Sequence, residues 1–220
     1  MEAEKIPPCM LFEGLSETEC RSVIGCIGGR VRPMRRGEQL CRAGECPAEM
    51  GVILRGEVDI LHTDYWGSET LMTRLGEGAL FAEVFAGQGA ELPYDAVAAR
   101  DGAVLWLRPE RLMTSCCEGC AFHRRLQLNL MGILAARTRE MSRKAAILSQ
   151  RSIRGRLMEY LSDRAREAGD NRFELAFTRQ QLADYLAVDR SAMTVELGKM
   201  QREGILRVEK RVFTLLEPDR

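Results

Sequence analysis

The chain has 220 residues, 45% of them hydrophobic and 29% charged, with 32 basic and 32 acidic side chains. That is the composition of a globular chain, and it excludes a collagen-like, low-complexity or disordered one. No apolar run approaches the roughly 20 residues that a membrane-spanning helix needs. The start, MEAEKIPPCM, is acidic where a secretory signal would be basic and then apolar, so a cytoplasmic location is expected.

The zero net charge hides a segregation. Residues 1–120 hold 12 Lys/Arg and 19 Asp/Glu, a net of −7, whereas residues 121–156 hold nine basic side chains and one acid, Glu140, a net of +8. A local excess of this kind permits nucleic-acid binding that the whole-chain charge would hide. Eight cysteines are too few for a disulfide scaffold, so reduced thiols are expected.

In chain order, Leu11 to Ile27 reads as a short amphipathic helix with Ser16 and Glu19 as a capping box, ended by Gly28-Gly29. From Arg30 to Arg108, short β-prone runs alternate with glycine-bearing turns: Val52-Ile53-Leu54, Val58 to Leu61, Thr70-Leu71-Met72, Ala96-Val97-Ala98 and Val104 to Leu107. Frequent short strands with regular turns predict a barrel or sandwich. Pro109 suits the first turn of a helix. Residues 119–149 then predict one long helix, with apolar side chains at 126, 130, 133, 134, 141, 145 and 148. Such a stripe buries itself against a partner, and a second copy is the simplest one, with Leu130, Ile133, Leu134 and Met141 at the seam. Packing on the chain's own barrel is the alternative.

Ile153 to Ala168 predicts a second helix, and Phe173 to Phe177 a short strand. The most informative stretch follows. Thr178 and Gln181 form a T-x-x-Q capping box that opens a helix at Arg179. Ala187-Val188-Asp189 makes a tight turn, with Asp189 capping a second helix from Arg190 to about Arg202, whose buried face is Met193, Leu197 and Met200. Two short helices with a small residue, Ala183, in the first describe a helix-turn-helix. A hairpin, Leu206 to Val208 and Val212 to Leu215 around Glu209-Lys210-Arg211, supplies a wing. With that buried face, Arg190, Ser191, Thr194 and Val195 lie outward for the major groove. Arg190 can donate two bonds to guanine, Ser191 and Thr194 can bond bases or phosphates, and the Thr194 methyl and Val195 can meet a thymine methyl. Thr178, Arg179, Lys199, Lys210 and Arg211 suit the phosphate backbone. A helical hairpin that binds protein is the competing reading.

On these residues nearly the whole chain resembles the Crp/Fnr family of bacterial transcription regulators. The stretch TRQQLADYLAVDRSAMTVELGKMQREGIL carries the resemblance most specifically, and CAFHRRLQLNLM supports it. The resemblance implies an α+β chain. Residues 1–118 would form a cyclic-nucleotide-binding-like, double-stranded β-helix (jelly-roll) sensor barrel, residues 119–149 the dimerisation helix, and residues 150–220 the winged helix-turn-helix. It also implies that Arg190 and the next few residues contact DNA, although Val195 stands where many members carry arginine. The expected partners are double-stranded DNA with an inverted-repeat operator, a second copy of the chain, RNA polymerase and an unidentified small-molecule effector, with no membrane. The expected function is regulation under a small-molecule or redox signal, with no enzymatic activity.

In nucleotide-binding members the glutamate of a Gly-Glu pair takes the ribose hydroxyl, and an Arg-Ser pair some ten residues later holds the cyclic phosphate. Here Glu83 keeps the glutamate, Ala82 replaces the glycine, and Pro93-Tyr94 stands where Arg-Ser would be. A cyclic phosphate needs charge-assisted donors, so cyclic AMP and cyclic GMP are not the expected effectors. Glu83, Leu92 and Tyr94 are the candidate residues for some other ligand. Cys9, Cys20 and Cys26 lack the two-residue spacings of an iron–sulfur cluster. Cys116, Cys117 and Cys120 are candidate redox thiols, and Cys41 and Cys46 a possible disulfide. A cupin-like barrel enzyme would need several barrel histidines, and His62 alone qualifies.

Overall fold

The computed structural model describes residues 6–114 and 121–216. Cys116, Cys117 and Cys120 lie outside the described residues. The chain divides into two compact units, 1–136 and 137–220.

In the first unit a 3-10 turn at Met10–Phe12 precedes α1 (Glu17–Cys26). The Ser16–Glu19 capping box forms as expected, but α1 starts at Glu17, well inside the expected Leu11–Ile27 span. Eight strands follow: β1 (Arg30–Met34), β2 (Gln39–Cys41), β3 (Met50–Arg55), β4 (Val58–Thr63), β5 (Glu69–Leu75), β6 (Leu80–Phe81), β7 (Asp95–Ala98) and β8 (Gly102–Leu107). They form two antiparallel sheets, β1-β8-β3-β6 and β2-β7-β4-β5. Gly56 turns the chain from one sheet to the other at φ +93°, where a Cβ would stand 2.8 Å from the Asp101 carbonyl oxygen, so both conformation and space require glycine.

The inner strands of the first sheet, β3 and β8, are buried on both faces, which explains why they read as unbroken apolar runs. Ile53, Val104 and Trp106 point between the sheets, joining Met34, Phe81 and Leu92. Val52, Leu54, Leu105 and Leu107 point the other way, against the helices. The second sheet leaves one face to water, and β4 and β7 alternate accordingly. This is the jelly-roll-like barrel that the sequence predicts.

Pro109 opens α2 (Pro109–Met113), and α3 spans Ala121–Ser149. Leu126, Leu130 and Ile133 are buried against the helix-side core of the barrel, and Leu134 packs on it too. The expected dimer seam of Leu130, Ile133, Leu134 and Met141 is therefore corrected in part: the barrel core buries Leu130 and Ile133 and half-buries Leu134, while Met141 is exposed. Leu128, Met131 and Ala135, on the opposite face of the helix, are exposed. Cys41 and Cys46 do not pair. The Cys41 thiol is buried, which pushes its pKa up to about 12, while the exposed Cys46 donates to the Gly89 carbonyl at 3.5 Å.

In the second unit α4 (Ile153–Ala168) is capped by Ser152 and ends at Gly169 in the left-handed conformation. Then come β9 (Arg172–Glu174), α5 (Arg179–Leu186), α6 (Arg190–Arg202), β10 (Leu206–Glu209) and β11 (Val212–Leu215). The strands form a sheet ordered β10-β11-β9. The strand expected at Phe173–Phe177 is thus shorter and begins one residue earlier. Leu157, Leu182, Met193 and Phe213 are among the residues of one shared core.

Candidate nucleic-acid interface

α5 begins because Thr178 satisfies its first turn. The Thr178 hydroxyl accepts from the Gln181 amide at 3.2 Å, and the Gln181 side chain accepts from the Thr178 amide at 2.9 Å. The helix ends at Ala187, a non-glycine residue at φ +52°. Two residues later the Asp189 carboxylate accepts from the Ala192 amide at 2.8 Å and starts α6. Ala183, fully buried between the helices, allows their close approach.

Met193, Leu197 and Met200 face inward as the sequence predicts. Arg190, Ser191, Thr194, Val195 and Lys199 are all exposed on the opposite face, so the helix presents them together. The Thr194 hydroxyl donates to the Arg190 carbonyl at 2.8 Å. Its hydrogen is therefore committed within the helix, and it can offer only acceptor lone pairs and its methyl group. The Lys199 ammonium lies 3.7 Å from the Glu196 carboxylate.

Thr178, Arg179, Lys210 and Arg211 form a second group. They share one cleft of about 210 Å³ beside Phe213. Lys210 sits at the wing turn with φ +57°. The Arg179 guanidinium lies 5.0 Å over the Phe213 ring. One of its nitrogens, Nη1, is buried without a hydrogen-bond partner, and burial lowers the pKa of the group from its ordinary value. A half-buried cation with an unmet donor, at a helix N-terminus and beside two exposed cations, is suited to an anion.

Two positioning arginines went unnoticed in the sequence. Arg154 on α4 donates to Glu196 at 2.6 Å and, through both terminal nitrogens, to Glu203 at 2.7 and 2.9 Å. It therefore ties the middle of α6 and its C-terminal cap to α4. Arg156 donates to the carbonyls of Leu186 and Ala187 and caps the end of α5. No local motif marks either one, because the partners they hold at α5 and α6 lie 30 to 49 residues away.

In the barrel, Glu83 and Leu92 are buried, while Tyr94 is half-buried. The three belong to one segment: Ala82 takes φ +60°, and its amide donates to the Tyr94 hydroxyl at 3.1 Å. The Tyr94 ring packs edge-on against Phe85, with centroids 5.9 Å apart. His62 is exposed near the end of β4 and does not line the barrel. No described helix is long and apolar enough to cross a membrane.

Comparison with known proteins agrees with this architecture. Residues 31–117 match the model of the cyclic nucleotide-binding domain, and residues 155–220 match that of the Crp-like helix-turn-helix domain. The "Cyclic AMP receptor protein" of Thermus thermophilus is 28% identical over 215 residues, 94% of each chain. Among solved structures, the Thermus thermophilus catabolite activator protein shares the fold at TM-score 0.55 and 24% identity, covering 94% of this chain and 93% of that one. A CooA mutant from Carboxydothermus hydrogenoformans does so at TM-score 0.53 and 18% identity, covering 97% and 94%. With a nucleotide-binding-type barrel followed by a Crp-like helix-turn-helix, the chain belongs to the Crp/Fnr family of transcription regulators.

Proposed function

We propose that the protein is a homodimeric, sequence-specific DNA-binding regulator that reads an inverted-repeat operator through α6 and responds to a signal other than cyclic AMP or cyclic GMP. The observation that carries this reading is the outward face of α6. Its N-terminal half offers Arg190, Ser191, Thr194 and Val195 to solvent together, the arrangement a recognition helix needs to reach base edges. Thr178, Arg179, Lys210 and Arg211 serve as phosphate contacts that set register, and Lys199 adds a further backbone contact.

The exposed stripe of Leu128, Met131 and Ala135 on α3 is the surface for the second copy, and Gly132 beside it allows close approach. Two α6 helices related by a two-fold axis then read two half-sites about 34 Å apart. RNA polymerase is a further partner of the DNA-bound dimer.

The effector reading rests on charge. Residues 82–94 contain two carboxylates, Glu83 and Glu91, and no Lys or Arg. The Ala82 amide is already bonded to Tyr94, and Pro93 has no amide to give. A cyclic phosphate placed there would meet negative charge and a phenol, without a cationic donor. Glu83, Leu92 and Tyr94 remain the residues around which a different ligand would bind.

Selection of bound duplexes from a randomised pool, followed by footprinting, tests the DNA reading. A symmetric site protected over two adjacent major grooves is expected. Binding that shows no sequence preference would overturn specific recognition. Calorimetry with cyclic AMP tests the effector reading, and micromolar binding would overturn it.

A further inference from the structure

A cleft in the first unit lies away from the barrel segment 82–94. It has a volume of about 600 Å³ and is formed by the 3-10 turn and α1. That volume is within the range of small-molecule sites. Its walls are apolar and soft: Ile6, Cys9, Phe12, Leu15 and Cys20. Burial raises the pKa of both the Cys9 and the Cys20 thiol, so at neutral pH they are uncharged wall atoms.

The charged residues lining the cleft are both acids, Glu13 and Glu17. Glu17 is paired with Arg21 at 2.6 Å. Glu13 is exposed and has no ion pair among the described residues. An apolar cleft with a carboxylate in no ion pair at its edge favours an apolar molecule that carries a positive charge, because a cation near that carboxylate gains Coulomb energy while the walls bury its tail.

The walls are also anchored. Asn129 on α3 donates to the carbonyls of Leu11 and Glu13, each at 2.9 Å, on either side of Phe12. The cleft is thereby tied to the long helix.

We propose that this cleft binds a small apolar organic cation, with the Glu13 carboxylate facing the charge and the Cys9–Phe12–Leu15 wall covering the tail. The site does not depend on the DNA-binding reading, and its test contains no DNA.

Octyltrimethylammonium is the probe, with 1-octanol and octanoate as matched neutral and anionic controls, titrated calorimetrically into the full-length protein below micellar concentration. The cation is expected to bind about tenfold more tightly than octanol, with octanoate weaker still. Glu13→Gln is expected to bring the cation down to the level of the alcohol. In the unaltered protein, saturating cation is expected to slow alkylation of Cys9 by iodoacetamide, read by peptide mass mapping, while exposed Cys46 reacts unchanged. Equal affinity for cation and alcohol, an undiminished preference in Glu13→Gln, or unprotected Cys9 would each overturn the proposal.

Discussion

The Arg156 guanidinium lies 3.0 Å from the carbonyl oxygen of Leu186, the last residue of α5. The same nitrogen reaches the Ala187 carbonyl at 2.8 Å, and Nε reaches that of Gln150 at 3.1 Å. The last carbonyls of a helix have no partner within it, and a cation there also complements the negative end of the helix dipole. One side chain thus anchors the turn between the two helices of the helix-turn-helix to α4. Removing a charged hydrogen-bond partner costs about 1.5–3 kcal/mol, so Arg156→Ala should loosen α5 and α6 by an amount in that range. Arg156→Lys should recover only part of it, because an ammonium lacks the fork. Hydrogen exchange of the α5 and α6 amides in the full-length protein reads both effects. Protection unchanged in Arg156→Ala would show the contact to be inconsequential.

The strain in that turn can be relieved. Ala187 adopts φ +52° and ψ +53°, where a Cβ approaches the following carbonyl. Ala187→Gly should stabilise the second unit by up to about 1 kcal/mol, offset in part by the greater freedom of glycine when unfolded. Ala187→Val should destabilise it, because a branched side chain tolerates that region worse. Thermal unfolding followed by circular dichroism measures both, and a Gly variant less stable than the parent would refute the strain argument.

Local chemistry was the legible part of this chain. The capping residues Ser16, Thr178 and Asp189 and the opening Pro109 all act over three or four residues, so their neighbours in sequence are their partners in space. The same holds for the inward triad Met193, Leu197 and Met200, which needs only the helical period. Three strands were not legible. β1 is an edge strand whose first four residues are exposed and which contains Pro33, so it shows no clear alternation. β2 and β6 are three and two residues long, too short for a period. The phase of α3 was misread for a different reason. Leu126, Leu130 and Ile133 make one stripe and Leu128, Met131 and Ala135 another, and spacing alone does not say which one the barrel covers. Within the candidate interface, exposure on α6 was readable from the period. The commitment of the Thr194 hydroxyl and the half-burial of Arg179 depend on rotamer and on tertiary packing.

Acid should weaken the hold of α4 on α6. The hydrogen bonds from Arg154 keep the Glu203 carboxyl below its ordinary value of 4.5. A carboxylate depressed in the folded state binds fewer protons there than in the unfolded state. Its stabilisation is therefore complete above about pH 4.5 and is lost as the pH falls through the lower, folded value. Thermal melts of the parent and of Glu203→Gln between pH 3 and 7 should converge at the acid end and separate above pH 5. Parallel curves across that range would contradict this role for the Arg154–Glu203 pair.

The two stripes of α3 should respond differently to charge. Leu130→Asp places a carboxylate into the barrel core, where an unpaired charge costs several kcal/mol, so loss of folding is expected. Met131→Glu alters a side chain that is 63% exposed, so the fold should survive while the dimer dissociates. Light scattering gives the mass, and circular dichroism confirms the fold. A folded Met131→Glu variant that stays dimeric would move the interface off this stripe.

Base reading should fall mainly to Arg190. It is exposed at the first position of α6, with its guanidinium in no ion pair among the described residues, and arginine at that end of a recognition helix can grip a guanine edge with two bonds. Arg190→Ala should cost roughly 1–3 kcal/mol and relax preference at one position per half-site. Lys210 stands at the wing turn, beside the cleft it shares with Thr178, Arg179 and Arg211, where a phosphate is the natural partner. Lys210→Ala should weaken every sequence alike and lower the salt slope by about one unit per half-site. Arg179→Ala should do the same more strongly, since its half-buried guanidinium meets an anion with less competition from water. A binding series on matched and singly mutated operators, repeated at several salt concentrations, separates the classes. If Arg190→Ala weakens all operators equally, Arg190 is a phosphate clamp, and specificity passes to Ser191, Thr194 and Val195 or to the shape of the duplex.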